Sequence, residues 1–179
     1  MNNIPAYQTE LIENKSKKQF LFESVGERNL IKAIEYTPVK RIHGRVIFNL
    51  GFGDYDEKTG EVFDDINSNN GDMWRVFSTV LNTVPVFFKE QPNDAIWVQG
   101  SDGHDEFFKH CKPNCKKKCR DICKNVDRRI KTYRYYVEKN FNVLCQEYLI
   151  FGSYSTNQAQ MSQYIIGNEY AGILVFKKK

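Results

Sequence analysis

The segment HCKPNCKKKCRDICKNV, residues 110–126, holds four of the chain's five cysteines, Cys111, Cys115, Cys119 and Cys123, each four residues from the next. Thiols at this spacing have three uses. With His110 they are a ligand set for a soft metal, and zinc is the ion such a set would take. They can pair as disulfides, although an i,i+4 pair on a regular helix is strained. They can also line the buried face of a helix, since a reduced cysteine behaves as a small hydrophobe. Length limits the metal reading. Cys111 and Cys123 would stand ~18 Å apart on a straight helix, and each ligand sulfur must lie ~2.3 Å from zinc. One straight helix therefore cannot hold all four on one ion. Two routes survive: a turn at Lys112-Pro113-Asn114 that folds His110 and Cys111 back, or i,i+4 pairs completed by another chain. Cys145 opens an expected strand, where a buried, inert thiol is the simplest reading.

The same segment carries the chain's excess charge. Residues 109–134 contain eleven Lys and Arg against Asp121 and Asp127, a net of +9, while the remainder carries 15 basic and 20 acidic side chains, a net of −5. A local patch of this kind suits a polyanion or an acidic protein surface. Lys116, Lys117, Lys118, Arg120, Lys124, Arg128, Arg129, Lys131 and Arg134 are the candidate contacts. Tyr133, with Tyr135 and Tyr136, offers stacking surface for nucleic acid. A solvated helix face is the bland alternative.

Other constellations are weaker. Asp54-Tyr55-Asp56-Glu57-Lys58-Thr59 starts like a calcium loop, but an EF-hand requires a ligand at position 5 and Gly at position 6, where Lys58 and Thr59 stand. A start at Asp65 fails at Asn70 and Val76, so a hairpin turn is the better account. Asp54, Asp56, Glu61, Asp64, Asp65 and Asp72 cluster in sequence and would make a hydrolase-type site only if folded together. There is no G-x-S-x-G, P-loop or G-x-G-x-x-G motif. A mixed sheet with a central helix would suit an acyltransferase, but QGSDGH lacks the spacing of a pyrophosphate-binding turn.

The elements that must position these residues follow from periodicity. Gln19–Val25, Leu30–Thr37, Arg45–Gly53, Val62–Ile66, Ala95–Gln99, Gln146–Phe151 and Gly172–Lys177 read as strands. Met73, Val76, Phe77, Val80, Leu81, Val84, Phe87 and Phe88 recur at helical spacing, so a helix is expected from Asp72 to Gln91, capped by SNNGD and ended or kinked at Pro85. A second helix is expected over 114–140, its stripe running from Cys115 through Ile130 to Phe141. The expected fold is α+β: a mixed, mostly antiparallel sheet with a long central helix and an inserted basic, Cys-rich helical segment. With 41% hydrophobic and 14% aromatic residues the chain is globular, and its 179 residues suit a single domain. No run approaches the ~18 apolar residues of a membrane span, and the polar N-terminus lacks the core of a signal peptide. A cytoplasmic setting with reduced thiols and no membrane partner is therefore expected.

NLGFGDYDEKTGE (49–61), SNNGD (68–72) before VFSTVLNTV, VQGS (98–101), RRIKTYRYYVEKNF (128–141) and the C-terminal YAGILVFKK together resemble a family of small bacterial proteins known only as a domain of unknown function. The likeness spans most of residues 20–178 and implies no activity, cofactor or catalytic residue. In that family the Gly-Ser loop runs almost directly into the Arg/Tyr helix, so residues 102–127 look like an insertion. The expectation is a binding domain that engages nucleic acid or an acidic protein through a basic helical face. The rival is a small hydrolase or transferase with a site near the 54–72 loops and the Gly100–Asp102 turn, aided by Arg128, Arg129 and Tyr133.

Overall fold

Alternating apolar residues on both sides of the Gly26-Glu27-Arg28 turn build the hairpin on which the first half of the chain is laid. The computed structural model describes residues 5–13, 17–63, 70–103, 107, 109, 111–114, 118–121, 123–156 and 160–179. They fall into two units, residues 1–97 with Lys179 and residues 98–178.

The first unit contains β1 (Glu10–Glu13), β2 (Lys18–Val25), β3 (Asn29–Ile42), β4 (Arg45–Asp56), β5 (Glu61–Phe63), helix α1 (Met73–Glu90) and the first residues of β6 (Ala95–Gln99). Strand order is β1-β2-β3-β4-β6, with β5 also on β4; only the β4–β6 pairing is parallel. Pro38 lies inside β3, where it has no N–H to give. Pairing with β2 ends at Tyr36, and the register with β4 shifts between Pro38 and Lys40, so the ladder has room for the missing donor.

Helix α1 forms as its periodicity dictates, with Val76, Phe77, Val80, Phe87 and Phe88 buried. Tyr36 of β3 stacks on Phe87 at 4.5 Å and its hydroxyl shares a 2.8 Å hydrogen bond with Thr83. The helix does not end at Pro85 but continues to Glu90. Pro85 lies on the exposed face, while Phe87 and Phe88, both nearly inaccessible, hold the last turn. Met73, expected in the core, is exposed at 48%; Thr79 and Thr83 are buried instead, each donating its hydroxyl to a backbone carbonyl within the helix. β1 was hidden in the polar N-terminal stretch.

Within SNNGD, Asn70 and Asp72 are described, and their side chains act away from the helix end. The Asp72 carboxylate makes no cap hydrogen bond; it accepts from Ser24 Oγ at 2.6 Å and Tyr7 Oη at 2.8 Å. Asn70, 3% exposed, accepts from the Arg28 amide at 2.8 Å and donates to the Arg28 carbonyl and Ser24 Oγ, both at 2.9 Å. Gly26 is required beside it, because a Cβ there would overlap the Asn70 carbonyl.

The second unit contains α2 (Arg128–Lys139), α3 (Phe141–Glu147), β7 (Tyr148–Ser153), β8 (Met161–Gln163) and β9 (Gly172–Lys177), the strands running antiparallel in the order β9-β7-β8. Ile130, Tyr133 and Val137 are buried on α2, and Ile150, Tyr164, Tyr170, Ile173 and Leu174 are buried in this unit too. Glu138 accepts from the Tyr164 hydroxyl and the Gly167 amide, both at 3.2 Å, tying α2 to the turn after β8. The expected helix over 114–140 is corrected: it begins at Arg128. Lys118 and Asp127 hold φ of 48° and 59°, residues 124–127 form a turn, and Cys119 and Cys123 are non-helical. Left-handed residues cannot continue a right-handed helix. Cys145 lies in α3 and is partly exposed, not in a strand, because β7 starts three residues later. β8 lies between Phe151 and Gly172, where no strand was expected. The fold class is α+β and mostly antiparallel. Among the described residues no helix is long and apolar enough to cross a membrane.

Asn70→Ala removes four side-chain hydrogen bonds at a buried position, the longest of them 3.4 Å to the Ser24 carbonyl; at ~1 kcal/mol net each it should lower stability by about 2–4 kcal/mol in urea denaturation. A change within ~0.5 kcal/mol, the size of an ordinary surface substitution, would contradict this account of the hairpin clamp.

Candidate functional site

The basic segment is organised from the Gly100-Ser101-Asp102-Gly103 loop, which lies against the first turn of α2. Gly100 permits the approach: a Cβ there would stand 2.8 Å from Asp102 Oδ1 and 3.3 Å from the Ile130 amide nitrogen. Asp102 is 6% exposed. Its Oδ2 accepts from the Arg129 amide at 3.1 Å, and its carbonyl accepts from the Asp127 amide at 3.2 Å. The Arg129 guanidinium donates to Ser101 Oγ at 2.8 Å. Asp127, the residue before the helix, makes no side-chain cap, so Asp102 satisfies an amide of the first turn from a distant point in the chain. Burial raises the Asp102 pKa above its ordinary 3.8, against the opposing pull of the Arg129 amide, its own backbone amide and the Arg129 charge. Asp102 Oδ1 has no hydrogen-bond partner among the described residues.

The candidate basic contacts divide by exposure. Lys116 and Lys117 lie outside the described residues, as do Cys115 and His110. Lys118, Arg120, Lys124 and Lys131 are exposed. Arg128, Arg129 and Arg134 are half-buried: Arg128 reaches Asn125 Oδ1 at 3.5 Å, Arg129 is held on Ser101, and Arg134 stands 3.9 Å from the Glu169 carboxylate. Tyr133 is corrected as a stacking surface, because it is 5% exposed and belongs to the core stripe of α2. Tyr135, two residues on, is 52% exposed with the Lys139 ammonium 5.7 Å from its ring centre. Lys131, Tyr135 and Lys139 follow at i, i+4 and i+8, one stripe along the helix.

The cysteines do what a straight helix forbids. A 3-10 turn at Lys112–Asn114 follows Cys111, and the Cys111 and Cys123 sulfurs lie 3.7 Å apart. The Asn125 amide donates to Cys123 Sγ at 3.4 Å, its side-chain Nδ2 donates to Cys111 Sγ at 3.4 Å, and the Lys124 amide donates to Cys119 Sγ at 3.3 Å. Cys123 is buried; Cys111 and Cys119 are half-buried, and none of these three is in a disulfide. Among the described residues no three His, Cys, Asp or Glu side chains gather as a metal site.

Three carboxylates of the rival site are engaged in the fold. Asp54 pairs with Lys32, Asp56 Oδ1 accepts from Lys58 and Thr59 in the hairpin turn, and Asp72 is held by Ser24 and Tyr7. Glu61 is exposed, and Asp64 and Asp65 lie outside the described residues. Arg129 meets the Gly100–Asp102 turn through Asp102 and Ser101. Sequence reasoning named Tyr135 among three rings without singling it out as the exposed one, and missed Asn125 as the donor between two sulfurs. Exposure along a helix offers the first signal; nothing in sequence marks the second.

Because its pKa is raised, Asp102 keeps its proton to higher pH in the folded chain than in the unfolded one. Its contribution is therefore greatest below 3.8 and is lost as pH rises through the folded value. Asp102→Asn keeps an acceptor and sheds the charge, so at neutral pH it should be at least as stable as the parent, with the difference shrinking on acidification. Asp102→Ala loses the acceptor and should cost about 1 kcal/mol. Urea denaturation of all three between about pH 4 and pH 8 checks both statements; an Asn variant as unstable as the Ala variant would contradict them.

No curated protein and no solved structure matches the chain. A family model described as a family of unknown function, DUF6934, matches residues 3–106, more than half of the chain, ending just before the cysteine segment. The chain therefore belongs to the DUF6934 family.

Proposed function

We propose that the chain is a binding module for single-stranded nucleic acid, acting through the basic segment and the outer stripe of α2. One observation carries this reading. Among the described residues from 107 to 139, Lys109, Lys112, Lys118, Arg120, Lys124, Lys131 and Lys139 are exposed, against the single exposed acid Asp121. Cations gathered in this way neutralise phosphates and release their counterions. The exposed ring of Tyr135 between Lys131 and Lys139 adds a face on which a base can stack. A nucleic acid uses both features, whereas an acidic protein surface uses the charge alone. The phosphate contacts assign no base preference.

Fluorescence anisotropy with short single-stranded RNA and DNA across a salt series tests the reading. Log affinity should fall with log salt by about 0.7 for each phosphate neutralised. Lys124→Ala and Lys131→Ala should each weaken binding and flatten that slope by about as much. Tyr135→Ala should cost about 1–3 kcal/mol while leaving the slope unchanged. Absent or salt-insensitive binding would overturn the proposal; binding to polyglutamate in preference to oligonucleotides would reassign the face to an acidic protein.

A further inference from the structure

We propose that Cys111 and Cys123 form a modification site: a thiol pair that a peroxide or a low-molecular-weight disulfide converts reversibly to an intramolecular disulfide. Their sulfurs stand 3.7 Å apart, close to van der Waals contact, and a disulfide requires about 2.05 Å. Side-chain rotation with a small backbone adjustment covers that difference. The described residues bring two thiols together, the number a disulfide needs and half the number that tetrahedral zinc takes.

The attacking sulfur reacts as the thiolate. Asn125 supplies a donor to each partner, its Nδ2–H to Cys111 and its backbone N–H to Cys123. Lys109 and Lys112 flank Cys111 in sequence and Lys124 follows Cys123. Exposure sets the order of events: Cys111 is partly exposed and Cys123 is buried. With hydrogen peroxide, the Cys111 thiolate attacks one oxygen, the O–O bond breaks, and hydroxide leaves a Cys111 sulfenic acid. The Cys123 thiolate then attacks that sulfur and displaces the second hydroxide. With the two thiol protons accounted for, two thiols and one peroxide give one disulfide and two waters. A low-molecular-weight disulfide achieves the same by two exchanges and releases two thiols.

The bond would close a loop that carries Lys112, Lys116, Lys117, Lys118 and Arg120. On the nucleic-acid reading above, oxidation therefore fixes the arrangement of three of the proposed phosphate contacts, Lys112, Lys118 and Arg120, and alters affinity.

The test is a redox titration of the full chain in glutathione buffers, read by thiol counting and peptide mapping. The expected result is a fall from five to three free thiols per chain, a single linked peptide joining Cys111 to Cys123, and full reversal by dithiothreitol. Cys145→Ser should leave that link intact and Cys111→Ser should abolish it. Links scattered among Cys115, Cys119 and Cys145, or no link at potentials that oxidise ordinary protein dithiols, would overturn the proposal. Oligonucleotide affinity in the two states separates the two readings. A several-fold change supports the coupling, and equal affinity overturns it. No binding in either state overturns the nucleic-acid reading while the mapped disulfide stands.

Discussion

The hydrogen bond from the Arg129 amide to the buried Asp102 carboxylate decides where α2 begins, and the second unit's chemistry depends on that decision. A helix starts where its first amides find acceptors. Asp102 is supplied by a loop more than twenty residues upstream, held close because Gly100 has no side chain to collide with Ile130. With the start placed at Arg128, the residues before it are released from helical geometry. Asp127 and Lys118 take left-handed conformations, and the chain doubles back enough to bring Cys111 beside Cys123. The anchor also costs something, since a carboxylate buried at 6% exposure is held against its preference for water.

The two units divide the work. In the first, the family match runs through the β2–β3 hairpin, its Asn70 clamp and the Phe87–Tyr36 stack, and these side chains are engaged in packing and hydrogen bonding. The cysteines and the lysines of the proposed contact face all lie beyond residue 106, where that match ends. The segment lies outside the part of the chain that the family model covers. Its fold-determining contacts point inward through Asp102, Arg129 and Ile130, while the Lys131, Tyr135 and Lys139 stripe remains open to solvent. The oxidisable pair sits at the base of the loop that carries much of the charge.

Elements whose signal is local were legible in the sequence. Helix α1 follows from its 3–4 periodicity, and β6 and β9 match their expected spans because short apolar runs ended by polar residues leave little choice. The helix over 114–140 failed for a non-local reason. The apolar spacing through Cys115, Cys119 and Cys123 fits a helix, and nothing nearby announces that Asp102 will cap Arg129 instead. Pro85 misled in the opposite direction, since the buried Phe87 and Phe88 hold the turn that follows it. For the site, charge and cysteine count singled out the right segment. Individual roles did not follow: Tyr133 turned inward and Tyr135 outward, a difference of about 200° around one helix. The meeting of Cys111 with Cys123 depends on a tertiary turn that four-residue spacing conceals.

The central claim is that α2 begins at Arg128 under the Asp102 carboxylate. Backbone NMR assignment tests it most directly, through the Cα secondary shifts of residues 118–139 and the Arg129 amide during a pH titration. The account predicts helical shifts from Arg128 onward, non-helical shifts from Lys118 to Asp127, and an Arg129 amide that follows the titration of Asp102 at a pH above the ordinary aspartate value. Unbroken helical shifts from Lys118 through Lys139, with an Arg129 amide indifferent to pH, would contradict it.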